Sequence, residues 1–173
     1  MATKLEFINK TTATSITQLD VTGVFTAKYD VYQVHIQMNL PGAGYFEIRL
    51  LQADDSLANE SKYDVAVLEM NSHASFNQYK FINQNGGVGW RGIGAYLDDG
   101  NGYGITVNIF NPFADDKFTI GTAQSGSINN SNLMGTKGIG VYKSTQSIGG
   151  MRVTTSGGGT SDYINVTTYG VKG

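Results

Sequence analysis

The sequence predicts an all-β protein, a single antiparallel β-sandwich that is jelly-roll-like. Apolar and polar residues alternate with a period of two along much of the chain, and no window of twelve residues has the 3.6-residue period of a helix. Glycine supplies 23 of the 173 residues and falls between the alternating runs. Roughly eight to ten short strands joined by turns are therefore expected in one domain.

The first predicted strands lie between residues 31 and 70. Residues 31–39 alternate strictly and place their apolar side chains on one face, namely Tyr32, Val34, Ile36 and Met38. A turn at residues 41–44 leads into a second strand at residues 45–53, and the two strands are expected to form a hairpin. That second strand points Phe46, Ile48 and Leu50 inward and Glu47 and Arg49 outward. A third strand at residues 62–70 is expected to be covered on both faces.

The remaining chain is predicted in the same way. Residues 71–103 are the least regular part, with Asn-Gly steps at 85–86 and 101–102 that favour tight turns. Strands are predicted at residues 104–110, 118–120, 138–143, 151–155 and 163–171, the first of them ended by Asn111 and Pro112. Residues 121–135 are predicted to be a polar loop. Residues 1–14 are predicted to be an N-terminal arm that packs elsewhere, and residues 15–173 the sandwich domain.

Composition excludes several classes of function. With no cysteine, the chain has neither a disulfide framework nor a thiolate nucleophile or metal ligand. A net charge of −2 with 15% charged residues argues against a partner bound through its phosphates, so no nucleic acid is expected. The first ten residues lack the apolar stretch of a signal peptide, and no run of about 18 apolar residues predicts a membrane span.

The sequence contains few residues suited to catalysis or metal binding. The two histidines, His35 and His73, have no spacing that requires them to meet. Acidic doublets occur at residues 54–55, 98–99 and 115–116, all where strands should turn, and they are expected to be solvated turn residues. Neighbours on a strand point to opposite faces, so a doublet cannot itself be a catalytic pair. No catalytic residue, metal ligand or cofactor is predicted, and the protein is expected not to be an enzyme.

Two segments are candidates for contact with a partner or a glycan. Trp90, flanked by glycines and followed by Arg91, is the most plausible exposed platform for a sugar ring. The favoured alternative places Trp90 in the core or an interface, because large aromatic side chains are usually buried. Asn129 and Asn130 are the second candidate contact, within the predicted polar loop.

Three motifs occur in order along the chain: VFTAKYDVYQV at residues 24–34, VNIFNPF at 107–113 and YINVTTYGVK at 163–172. Together they resemble structural proteins of tailed-phage virions, including those of marine and cyanobacterial phages, and the resemblance covers most of residues 15–172. Such proteins are head-decoration or tail-fibre components, and the family carries no catalytic residues. The resemblance implies a non-enzymatic virion protein, assembled in the host cytoplasm.

Within that class a capsid decoration or cement protein is expected, because the chain is short and lacks the repetitive shaft of a free-standing fibre. It would self-associate as a homotrimer and bind phage capsid or tail proteins, with the arm at 1–14 and the loop at 121–135 reaching a neighbour. The alternative is a tail-fibre or receptor-binding tip that recognises host-surface glycans through Trp90 and the loops at 85–103. A glycan-cleaving enzyme is a distant third interpretation.

Overall fold

The computed structural model is an all-β sandwich, as predicted. It describes residues 4–39, 44–58, 60–72, 76–81, 89–97, 102–129, 132–156 and 159–172. Within these ranges the chain forms twelve strands and one short 3-10 turn at Glu60–Lys62. The strands are β1 (Lys4–Ile16), β2 (Gln18–Val21), β3 (Val31–Asn39), β4 (Gly44–Gln52), β5 (Tyr63–Asn71), β6 (Asn77–Phe81), β7 (Trp90–Leu97), β8 (Tyr103–Phe110), β9 (Thr119–Asn129), β10 (Asn132–Tyr142), β11 (Ile148–Ser156) and β12 (Ser161–Lys172). None of the described residues belongs to a helix long and apolar enough to cross a membrane.

The strands form two antiparallel sheets that pack face to face. The larger sheet has eight strands in the order β1-β12-β3-β8-β9-β10-β5-β6, and the smaller has four in the order β2-β11-β4-β7. The sandwich is thus established, whereas the jelly-roll arrangement stays a prediction. We call the face of the larger sheet that is turned away from the smaller sheet its outer face.

The core lies between the sheets, where the predicted alternation places it. The inward side chains of β3, Tyr32, Val34, Ile36 and Met38, are at most 1% exposed. Those predicted on β4, Phe46, Ile48 and Leu50, are fully buried and meet them from the smaller sheet. Burying one such side chain contributes about 1.5–3 kcal/mol, so this double layer is the main source of stability.

The predicted hairpin of β3 and β4 is wrong. β3 pairs with β12 and β8 in the larger sheet, whereas β4 pairs with β11 and β7 in the smaller one. Alternation specifies which face of a strand is buried but not which strand lies beside it. Glu47, predicted to point outward, is only 1% exposed, and its carboxylate accepts a hydrogen bond from Arg49 Nε at 2.7 Å.

Two further expectations differ from the structure. The segment predicted as an arm lies in the domain's own sheet, since β1 pairs with β12 from Lys4 opposite Lys172 to Ile16 opposite Ser161. The predicted polar loop at 121–135 is instead most of a long hairpin, in which β9 and β10 pair from Thr119 opposite Tyr142 to Asn129 opposite Asn132. Its glycines and serines are typical of turns, but Gly121 lies in a strand and makes room for the side chain of Trp90.

Candidate functional site

Trp90 is fully buried between the two sheets, so the expectation of an exposed sugar platform is wrong. The alternative prediction, that Trp90 lies in the core, is confirmed. The indole meets the ring of Tyr63 edge-on, with 6.4 Å between ring centroids and an interplanar angle of 89°. It contacts the backbone of two facing strands at Gly121 of β9 and Gly140 of β10.

The other predicted contact residues do not gather around Trp90. The guanidinium carbon of Arg91 lies 5.0 Å from the centre of the Tyr45 ring, and Arg91 is half-buried. Asn129 ends β9, about 26 Å along the strand from Gly121 at about 3.3 Å per residue. Its side chain and the whole of Asn130 lie outside the described part of the chain. A contact role for Arg91, Asn129 or Asn130 therefore stays a prediction.

The titratable residues singled out in the sequence are dispersed. His35 is exposed on the outer face of β3, with Nε2 3.2 Å from Oε1 of Gln33. His73 and the doublet at 98–99 lie outside the described residues. Asp54 accepts hydrogen bonds from Ser56, which lower its pKa. Across the described ranges, no three His, Asp or Glu side chains come together in a way that would hold a metal ion.

The most distinctive surface of the molecule was not predicted. Large apolar side chains stand 37–65% exposed on the outer face of three neighbouring strands, β5, β10 and β9. We call this set the apolar strip, and it consists of Leu68, Ile120, Ile128, Leu133 and Ile139. Ile128 and Leu133 stand directly opposite each other in the β9–β10 hairpin. The expectation that residues 62–70 are covered on both faces is wrong, because Ala66 and Leu68 are exposed.

A depression crosses the apolar strip at Ala66. The small side chain of Ala66 is flanked by Leu68 on its own strand and by Ile139, which stands opposite it on β10. The resulting trough has a volume of about 770 Å³, and an adjoining apolar depression of about 390 Å³ continues past Ile120 and Val141. We call the first of these the Ala66 trough, and its size suits a short segment of a partner that carries a large apolar side chain.

Two lysines border the Ala66 trough. Lys80 of β6 stands opposite Ala66, and Lys137 of β10 stands opposite Leu68. Both are exposed, and neither forms an ion pair with any residue that the structure describes. Asp64, at the end of the adjoining depression, is instead neutralised by Lys143, 2.9 Å away. This surface can therefore bury apolar side chains and attract carboxylates.

The apolar strip was missed because it depends on strand neighbours. Ile120, Ile139 and Leu68 are far apart in sequence, and only the order β9-β10-β5 brings them together. Ile120 and Ile128 lie on the same face of β9, but most of this strand was predicted to be a loop. The available signal was the mixed composition of residues 62–70, where an apolar residue, Leu68, occurs on the face opposite Val65 and Val67.

Comparison with known proteins gives only distant likenesses. No family model and no curated protein matches the chain. Among solved structures, a marine PL-14 alginate lyase from Aplysia kurodai has 8% identity and a TM-score of 0.36, covering 86% of this chain and 72% of its own. A mutant of alginate lyase Aly36B in complex with alginate trisaccharide has 13% identity and a TM-score of 0.34, covering 93% and 80%. The catalytic domain of PdAgaC has 11% identity and a TM-score of 0.25, covering 88% and 64%. These likenesses are too weak to transfer a function.

Proposed function

We propose that this chain is a non-enzymatic structural protein of a phage virion, a head-decoration or cement protein that binds the capsid surface and stabilises the particle. The observation that carries the proposal is the apolar strip, five large apolar side chains exposed on one face of three adjacent strands. Exposed apolar side chains that lie together are uncommon on soluble monomers and mark sites of association. Within the strip, Ile128 and Leu133 form one cluster, and Leu68, Ile139 and Ile120 form a second one on the other side of Lys137. The resemblance of the three motifs to virion proteins is the reason for proposing a phage particle as the assembly.

Those motifs themselves serve the fold and leave the surface free for association. Phe25, Tyr29 and Tyr32 pack edge to face, with ring centroids 4.9 and 5.6 Å apart. The Tyr32 hydroxyl donates to the Thr26 carbonyl at 2.7 Å and so fixes the loop that enters β3. Asn111 adopts a left-handed conformation, φ 53°, at the corner after β8. A binding surface is therefore expected elsewhere, as the apolar strip provides.

A cement protein needs buried area rather than chemistry. A specific interface buries about 800 Å² on each partner, and every large apolar side chain it covers adds to the cost of separating two capsid subunits. The same contact repeated over a capsid multiplies that resistance without further sites. The pair Ile128 and Leu133, exposed at the end of the β9–β10 hairpin and outside the Ala66 trough, suits such a contact.

The receptor-binding alternative depended on an exposed Trp90, but Trp90 is fully buried. Much of the predicted glycan-contacting segment at 85–103 lies outside the described residues. Recognition of host glycans by a tail-fibre tip therefore stays a prediction, and the half-buried Arg91 is the predicted contact residue whose side chain the structure describes.

The proposal is tested on particles of the phage that encodes this chain. Mass spectrometry of purified virions should detect the protein, and immunogold labelling should place it on the head. Particles that lack the protein should bind purified wild-type chain, whereas I128D/L133D should reduce occupancy at least tenfold. The matched control T12D changes an exposed position on the polar side of the same face and should bind normally. Absence from virions, or full occupancy by I128D/L133D, would contradict the proposal.

A further inference from the structure

The turn between β8 and β9 carries an acidic doublet beside an exposed aromatic ring. Asp115 and Asp116 are exposed, and Phe118 is 48% exposed. No ion pair or hydrogen bond to either carboxylate is found among the residues that the structure describes. By contrast Asp54, in the other described doublet, is engaged by the amide and hydroxyl of Ser56 at 3.0 and 2.6 Å. We call residues 115–118 the acidic turn.

The Ala66 trough offers the opposite chemistry. Its lining is mainly apolar but includes Gln78, and Lys80 and Lys137 also line it, with no anionic partner among the described residues. An occupant should therefore present one large apolar side chain close to carboxylates. The acidic turn has both, with Phe118 two residues after Asp116, although the exposed Lys117 between them reduces its net charge.

We propose that copies of this chain associate by placing the acidic turn of one copy in the Ala66 trough of the next. The phenyl ring of Phe118 covers Ala66 between Leu68 and Ile139, and Asp115 and Asp116 approach Lys80 and Lys137. The proposed contact rests on the proposed function only in so far as it describes how decoration subunits bind each other. The contact itself does not require a virion.

Charge selects this arrangement over the simplest alternative. If two copies packed trough against trough, Lys80 and Lys137 would face the same lysines, and like charges across an interface oppose association. A contact between two different patches either forms twice in a two-fold dimer, with each turn in the partner's trough, or repeats head to tail and closes into a ring when the rotation permits. A closed ring of three would agree with the predicted homotrimer.

The test measures the mass of the full chain in solution by sedimentation velocity over a range of concentrations. We expect the wild type to form a closed oligomer that weakens at high salt, because screening reduces attraction between exposed charges. D115K/D116K and K80D/K137D should each be monomeric. The variant with all four changes again pairs opposite charges, and we expect it to recover the oligomer.

A second pair of variants tests shape independently of charge. A66F places a ring where Phe118 of the other copy would cover Ala66, and it should abolish the oligomer. Q37F adds the same ring at an exposed position of the outer face on β3 and should leave the oligomer intact. Circular dichroism checks that each variant is folded.

Several results would overturn the proposal. They are a wild type that stays monomeric at every concentration, an oligomer that survives both charge reversals, or a fourfold variant that fails to recover. Particle occupancy is scored separately. A solution oligomer with no protein on virions would refute the proposed function alone, whereas head binding by a monomer would refute only the contact proposed here.

Discussion

Trp90 of the smaller sheet lies directly against Gly140 of the larger one, with no room for a side chain between them. A Cβ at Gly140 would stand 2.5 Å from Cδ1 of the indole, and a Cβ at Gly121 would stand 2.7 Å from its Cζ3. Gly138 has the same relation to the backbone of Ile93, at 2.8 Å from its carbonyl oxygen. Glycines on β9 and β10 thus let β7 pack closely on the inner face.

Alanine at either glycine beneath Trp90 should destabilise the fold. The added methyl group must displace a buried indole that is held by both sheets, and overpacking of this kind costs about 1–3 kcal/mol. We expect G140A and G121A to unfold at lower urea concentration than the wild type, with an unchanged slope of the transition.

Gly104 and Gly126 are the matched controls. They lie in β8 and β9, both are exposed, and a Cβ at either would meet nothing within 4 Å. Replacing such a glycine with alanine reduces the freedom of the unfolded chain and stabilises by about 0.4–1 kcal/mol when the backbone allows it. If G104A or G126A destabilised as much as G140A, the close packing at Trp90 would not be the cause.

The chain has one tryptophan and ten tyrosines, so fluorescence excited at wavelengths that only an indole absorbs reports on Trp90 alone. A fully buried indole should emit at short wavelength and resist quenching by iodide, and its emission should shift to the red on unfolding. The W90A variant should lose about 3–5 kcal/mol of stability, as large aromatic truncations in a core do. Native emission that resembles the unfolded state would contradict the burial of Trp90.

The individual strands could be predicted because alternation is a local property. β3, β8 and β12 begin and end within two residues of their predicted ends, and the inward side chains of β3 are the predicted ones. Sheet membership could not be predicted, since a buried face is satisfied equally by the strand beside it or by the sheet opposite. That ambiguity led to the wrong hairpin of β3 with β4.

The candidate site could not be predicted from the sequence for a related reason. Glycine and serine at residues 121–135 are typical of loops, yet Gly121 and Gly140 are needed in strands because Trp90 occupies the space of their side chains. If residues 121–135 are assumed to be a loop, β9 and β10 are not expected to pair, and nothing places Ile120 and Ile139 on a common surface. Of the residues in the proposed contact between copies, only the acidic doublet at 115–116 was singled out in the sequence. The trough that receives it depends on the order of the strands in the sheet.

Tyr63 links the two sheets through a buried hydrogen bond. Its hydroxyl accepts from the backbone N–H of Leu50 at 3.0 Å, and burial raises the pKa of the hydroxyl above its usual range. In Y63F that amide loses its partner inside the core, which costs about 1–3 kcal/mol. We expect a lower urea midpoint for Y63F, whereas Y163F, at a half-buried position on β12, should change little. Equal effects of the two variants would refute the role given to the Leu50 contact.

Glu6 attaches the start of β1 to the rest of the sandwich. Its carboxylate lies 2.5 Å from Lys28 Nζ and 2.8 Å from Lys172 Nζ. Hydrogen bonds from Lys172 and then Lys28 lower its pKa from 4.5 to about 2. Because the pKa is lower in the folded state, the stabilisation is complete well above pH 4.5 and is lost as the pH falls towards 2.

The variant E6Q should therefore unfold more readily than the wild type at pH 7. The difference between the two urea midpoints should shrink below about pH 5 and vanish near pH 2, and salt should reduce it because the pair is exposed. The control K10Q changes a nearby exposed charge on β1 that has no ion pair among the described residues, and its effect should not follow this pH course. A difference for E6Q that stayed constant from pH 7 to pH 2 would show that the carboxylate does not hold β1 through its charge.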